Sequence, residues 1–172
     1  MPSLPVAIQE KSLAVPEGHV LSPKEFLHLG SRAAVDQAFS RLANAGSLLR
    51  IARGIYVAPA QGKAETQTSR TEAIALSIAA KGKVAITASG AVGAKSFGLV
   101  SRAPDEVIFL TTGRSKLLTV DAVKASLQHA PYWMLALGGT RAGDAVRALA
   151  WMGENCAEHT ASLLHSQLSD SQ

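Results

Sequence analysis

The sequence predicts an α+β protein in two parts: a helix-turn-helix closed by a β-hairpin, then a small α+β domain whose mixed or antiparallel sheet is flanked by helices. Three observations carry this. Residues 22–59 read as helix, turn, helix and tight hairpin; residues 59–68 shift to a polar mixture of Gln, Gly, Lys, Glu and Thr; and beyond them helical and β-prone runs alternate. The polar stretch is the expected linker, which sets domains at 1–60 and 69–172.

Leu4 to Ala14 is a helix candidate, and His19-Val20-Leu21 a short strand beside the hairpin. Ser22-Pro23 then pairs an N-cap hydroxyl with a proline at the first helical position, where its missing N–H costs nothing, so a short helix is expected from Pro23 to about Leu29. Gly30 breaks it. Ser31 can cap a second helix, Arg32 to Asn44, in which Val35, Ala38, Phe39 and Leu42 recur at helical spacing as a buried stripe. Gly46 sits where a left-handed C-cap belongs. Leu48 to Ile51 and Gly54 to Val57 are β-prone and joined through Ala52-Arg53-Gly54 as a hairpin, which Pro59 ends. This order is that of a winged helix-turn-helix.

In the second part, Ser69 to Ala80 reads as a helix ended by Gly82, Lys83 to Thr87 as a short strand and alanine-rich Ser89 to Phe97 as another helix. Glu106 to Thr111 is the clearest strand; Gly113 turns the chain, and Lys116 to Val120 is its expected hairpin partner. Val123 to His129 and Tyr132 to Leu137 can add strands. After Gly138-Gly139, Thr140 to Met152 is an amphipathic helix with Ala145, Val146, Leu149 and Met152 on one side, and a last helix spans about Cys156 to Leu168.

The winged segment points to DNA. Lys24, Arg32, Arg41, Arg50 and Arg53 stand against Glu25 and Asp36 between residues 22 and 59, a net of +3. The helix face opposite the apolar stripe offers Gln37, Ser40, Arg41 and Asn44, with Arg32 near its start, while Arg50 and Arg53 sit on the hairpin. A groove-reading helix and a backbone-touching wing need basic and amide side chains at those places. The candidate DNA-binding set is therefore Lys24, Ser31, Arg32, Gln37, Ser40, Arg41, Arg50 and Arg53. The 172-residue chain carries a formal charge of +4 and a pI near 9.5, which suits a polyanion. Only six of its 17 basic residues precede residue 61, so net charge alone does not locate the surface.

Other chemistries find little footing. Cys156 is the single cysteine, which excludes an internal disulfide and argues against a thiolate zinc site. With no membrane-length apolar run and no signal-peptide pattern, a cytoplasmic protein is expected. Gly90 to Ser96 follows a strand and opens a helix, yet its glycines are two residues apart and Ala94 precedes Lys95, so it fails the P-loop spacing; small residues for close helix packing explain it. Cys156, His159 and His165 match no common zinc spacing. Asp105 and Glu106 are adjacent on an extended chain and point to opposite faces, and no serine sits in a nucleophile elbow. No catalytic residue, metal or cofactor is expected, and the protein is read as a non-enzyme. Core packing is the expected fate of Tyr132, Trp133 and Trp151, with a partner-binding patch as the alternative.

The run Leu21 to Gly46, continued by Arg50 to Pro59 with its arginine-glycine wing and Gly-Ile-Tyr ending, resembles the winged helix of AbiEi-type antitoxins and their transcriptional-regulator relatives. Gly98-Leu99, Pro104, Leu110 to Gly113 and Ala148 to Gly153 are similar to the second domain of the same group. The resemblance implies an antitoxin of a bacterial type IV toxin–antitoxin system, a repressor of its own operon that opposes a nucleotidyltransferase-like toxin encoded nearby. It implies binding to inverted repeats in double-stranded DNA through Ser31, Arg32, Gln37, Ser40 and Arg41 on the helix and Arg50 and Arg53 on the wing. A monomer or weak dimer, cooperative on DNA, is expected. Val100 to Ala103 and Glu154 depart from the group's pattern, which has a more polar run and a lysine there. The alternatives are a regulator without antitoxin role and a protein-interaction module docking a partner through the winged helix.

Overall fold

A computed structural model describes residues 3–60 and 67–168. Most of the expected linker, residues 61–66, and the end of the chain after Leu168 lie outside the described residues. The fold is α+β, and it falls into two compact units: one takes the chain up to Ile78 together with Leu117–Lys124, the other Ala79–Lys116 and the chain from Ala125 onward.

The first unit opens with α1 (Leu4–Ala14) and continues through a 3₁₀ turn (Pro23–Phe26), α2 (Arg32–Asn44), β1 (Leu49–Ala52) and β2 (Ile55–Val57) into α3 (Gln67–Gly82). The helix expected from Pro23 to Leu29 is only that four-residue turn. Ser22 explains the tightness: its hydroxyl accepts from the Lys24 N–H at 3.4 Å while its own N–H donates to Glu25 at 2.7 Å, a capping box closed within one turn. The strand expected over 19–21 is reduced to one antiparallel bridge, in which the Leu21 and Tyr56 amides exchange both backbone hydrogen bonds at 2.7 and 3.0 Å.

Ile8, Leu21, Phe26, Val35, Phe39, Leu42, Leu48 and Tyr56 share one buried core. Phe39 is its centre, edge-on to Phe26 at 5.5 Å and tilted against Tyr56 at 4.8 Å between centroids. A second set of contacts is polar. Arg70 on α3 is 6% exposed, and its guanidinium donates to the Ala58 carbonyl at 3.1 Å and to Asp121 at 3.0 Å, with Glu17 at 4.0 Å. The chain leaving β2 is thereby anchored to a buried, paired cation.

Beyond α3 come β3 (Ile86–Ala88), α4 (Gly90–Ser96), β4 (Val107–Thr111), β5 (Lys116–Val120) and β6 (Val123–His129), followed by α5 (Tyr132–Leu135), α6 (Arg141–Met152) and α7 (Ala157–Gln167); of these, β5 from Leu117 and β6 up to Lys124 group with the first unit and the rest form the second. The sheet is mixed, in the order β3-β4-β6-β5. The expected hairpin of β5 with β4 is not formed: β6 lies between them and pairs parallel with β4, from Val107 opposite Ala125 to Thr111 opposite His129. β6 is buried on both faces at Ala125, Ser126 and Leu127, as a strand in the central position is.

Two further expectations are corrected. Tyr132–Leu135 is a short helix, not a strand, because Pro131 supplies an N-cap at φ −63° and has no N–H to give a sheet. The aromatics expected in the core are not there: Tyr132 and Trp133 on this helix and Trp151 on α6 are 73%, 56% and 45% exposed. On α6 the buried positions are Gly143, Ala145, Arg147 and Ala148, whereas Val146, Leu149 and Met152 are half-buried. Arg147 is fully buried and ties α5 to α6, donating to the Met134 carbonyl at 3.1 Å and to Asp144 at 2.6 Å.

The expectation of close packing at Gly90 and Gly93 is met. A Cβ at Gly90 would lie 2.3 Å from the Arg147 carbonyl oxygen, and one at Gly93 2.6 Å from that of Asp144. α4 therefore lies backbone to backbone against α6, and only hydrogen fits between them.

Candidate nucleic-acid interface

The geometry of the winged segment follows from α2. Ser31 at β-region dihedrals caps it by accepting from the Ala34 N–H at 3.3 Å. Val35, Ala38, Phe39 and Leu42 are buried, as their spacing predicts, and this fixes the helix rotation. At 3.6 residues per turn the opposite face, Ala33, Gln37, Ser40, Arg41 and Asn44, occupies an arc of about 100°. All five are exposed.

Arg32 stands at the flank of that face. Its Nε donates to Asp36 at 2.8 Å, one turn along, so its charge is locally matched. Ser31 has its oxygen engaged in the cap, which leaves its hydroxyl hydrogen as the group it can offer.

The wing is built by an antiparallel pair that sets Leu49 opposite Val57, Arg50 opposite Tyr56 and Ala52 opposite Ile55, with a register shift between Arg50 and Ala52. Ile51 is buried, so the alternation of the strand leaves Arg50 outward and exposed. Arg53 is exposed in the turn, where Gly54 takes φ +70°. The Leu21–Tyr56 bridge adds a third backbone segment to this small sheet, joining the base of the wing to the chain just before the Ser22 turn. Lys24 is exposed on that turn.

All eight candidate residues are thus exposed on the first unit. Among the described residues Arg41, Arg50, Arg53 and Lys24 have no ion-pair partner, and Arg32 has one. Sequence reasoning left Ala33 and Ala34 out of the candidate set. They are exposed in the first turn of α2, where a methyl group can meet a thymine methyl. Their signal was their position directly after the Ser31 cap.

Among the described residues no three His, Cys, Asp or Glu side chains gather to hold a metal ion, and no helix is long and apolar enough to cross a membrane. Cys156 is exposed in a 3₁₀ turn (Glu154–Cys156) rather than on α7 with His159 and His165.

The model of a family described as of unknown function, DUF6088, matches residues 7–169. The chain belongs to DUF6088. No curated protein and no solved structure matches it. In this DUF6088 member the match runs through both units.

Proposed function

We propose that this DUF6088 protein is a sequence-specific DNA-binding transcriptional autorepressor, acting in the cytoplasm as a non-enzymatic antitoxin of a type IV toxin–antitoxin system that opposes a nucleotidyltransferase-like toxin. The observation that carries the DNA-binding part is the exposed Gln37, Ser40, Arg41 and Asn44 face of α2 accompanied by Arg50 and Arg53 on the wing. Gln and Asn pair bidentately with adenine and Arg with guanine in the major groove, while wing arginines suit phosphates or the minor groove. The antitoxin part is supported by the likeness of Leu21 to Pro59 and of the later segments to AbiEi-type antitoxins.

Fluorescence anisotropy with a labelled duplex from upstream of the gene tests the reading. The apparent binding constant is expected to fall linearly with salt on logarithmic axes, and unlabelled upstream duplex is expected to compete better than scrambled duplex. Absence of salt-sensitive binding overturns it. Co-expression with a neighbouring nucleotidyltransferase-like gene product is expected to restore growth; growth arrest that persists with a DNA-binding antitoxin candidate leaves a plain regulator.

A further inference from the structure

The second unit contains a groove of about 200 Å³ that the DNA-binding reading does not use. Strand alternation explains its floor. Glu106, Ile108 and Leu110 are two residues apart and share one face of the sheet, and the parallel register sets Ser126 beside Ile108 and Gln128 beside Leu110. The start of α4 at Ser89 to Val92 and the end of α6 at Ala150 and Trp151 form the walls. Val92 and Trp151 are 49% and 45% exposed, so an apolar rim stays open to solvent.

One end of the groove is polar and unbalanced. The Ser126 hydroxyl donates to Glu106 Oε1 at 3.4 Å and accepts from Gln128 Nε2 at 3.3 Å. The Glu106 carboxylate has no cationic partner among the described residues. Arg102 is committed to Asp105, with 2.7 and 2.8 Å contacts to its two oxygens, and Arg147, which also lines the groove, is matched by Asp144. Glu106 Oε2 and the Gln128 side-chain carbonyl are left as free acceptors beside an apolar slot with a tryptophan wall.

We propose that this groove binds a planar heteroaromatic ligand that presents two adjacent N–H donors, the hydrogen-bonding pattern of a guanine base or a cyclic guanidine. A cavity of about 150 Å³ accepts benzene, so the present volume accommodates a fused bicyclic ring. The ring lies between the aliphatic floor and Trp151, and its N–H pair meets the carboxylate in a charge-assisted, bidentate contact. The proposal is independent of DNA binding.

2-Aminobenzimidazole and guanosine are the probes, titrated into the full-length protein by calorimetry and ligand-observed NMR. Benzimidazole and adenosine, which lack the paired donors, are the contrasts. Saturable binding with a dissociation constant on the order of 0.1–1 mM is expected for one or both probes, and at least about tenfold weaker binding for the contrasts. Glu106→Gln, at an exposed position, is expected to weaken the probes about tenfold, and Ala150→Trp, which fills the slot from its solvent side, to abolish binding; circular dichroism checks that both variants fold. Absence of saturable binding by either probe, or binding that Glu106→Gln leaves unchanged, overturns the proposal.

Discussion

Replacing Gly93 by Ala sets two physical effects against each other with opposite signs. Gly93 lies inside α4, where helix propensity alone favours Ala by about 1 kcal/mol. The packing says otherwise. The added Cβ would stand 2.6 Å from the Asp144 carbonyl oxygen, 3.3 Å from its carbon and 3.5 Å from the Ala148 Cβ. A comfortable C···O approach is about 3.3 Å, so the helices must part by about 0.7 Å. That gap forfeits roughly a quarter to a half of the dispersion energy along the contact, and the obstacle is backbone that cannot rotate away. Overpacking of this kind costs about 3 kcal/mol at the upper end of its range, which leaves a net loss of about 2 kcal/mol after the propensity gain. For a chain of this size the thermal midpoint falls by roughly 4–8 °C. The control is Gly139→Ala, where a Cβ meets nothing within 4 Å and no positive φ is required. Its effect stays within about 0.5 kcal/mol. Urea titration followed by circular dichroism measures both. A Gly93→Ala protein as stable as wild type, or more stable, refutes the close α4–α6 contact.

Three further outcomes are expected. Arg53→Ala on the wing weakens binding to specific and scrambled duplexes alike and lowers the salt slope by about one unit, measured by anisotropy between 50 and 200 mM salt. Ser31→Ala removes the oxygen that accepts from the Ala34 N–H and costs about 1 kcal/mol in urea unfolding, with Ser31→Asp retaining most of the stability. Phe39→Ala, at a fully buried position between Phe26 and Tyr56, costs about 3–5 kcal/mol; a loss below about 1 kcal/mol would place the core elsewhere.

What could be read in advance follows the range of the interaction that decides it. The stripe Val35, Ala38, Phe39 and Leu42 and the caps at Ser22 and Ser31 are local patterns, and each appears where the residues place it. The partner of β4 is a non-local choice: Lys116–Val120 is nearest along the chain, but the buried run of β6 takes the central place. At Tyr132 the β-preference of two aromatics competed with the φ constraint of Pro131, and the proline prevailed. Arg70 and Arg147 were invisible as interior residues because arginine is ordinarily exposed; Arg70 is held inside by Asp121 and the Ala58 carbonyl, partners that only folding brings near, and Arg147 by the Met134 carbonyl together with Asp144 one turn earlier on its own helix. At the winged segment the exposure of the candidates was legible from helix and strand period. The Arg32–Asp36 pairing, which sets Arg32 apart from Arg41, depends on rotamers that the period does not fix.

The residues of the Phe39 core all lie between Leu4 and Tyr56. A chain emerging from a ribosome therefore has every side chain of that core in hand when only about a third of it has been made, whereas the central strand of the larger sheet, β6, begins at Val123. The Phe39 core can close as an early co-translational unit, and the mixed sheet, whose parallel pair joins residues 18 apart, waits for the later chain. Force measurements on arrested nascent chains of increasing length would register the first event before β6 has been made.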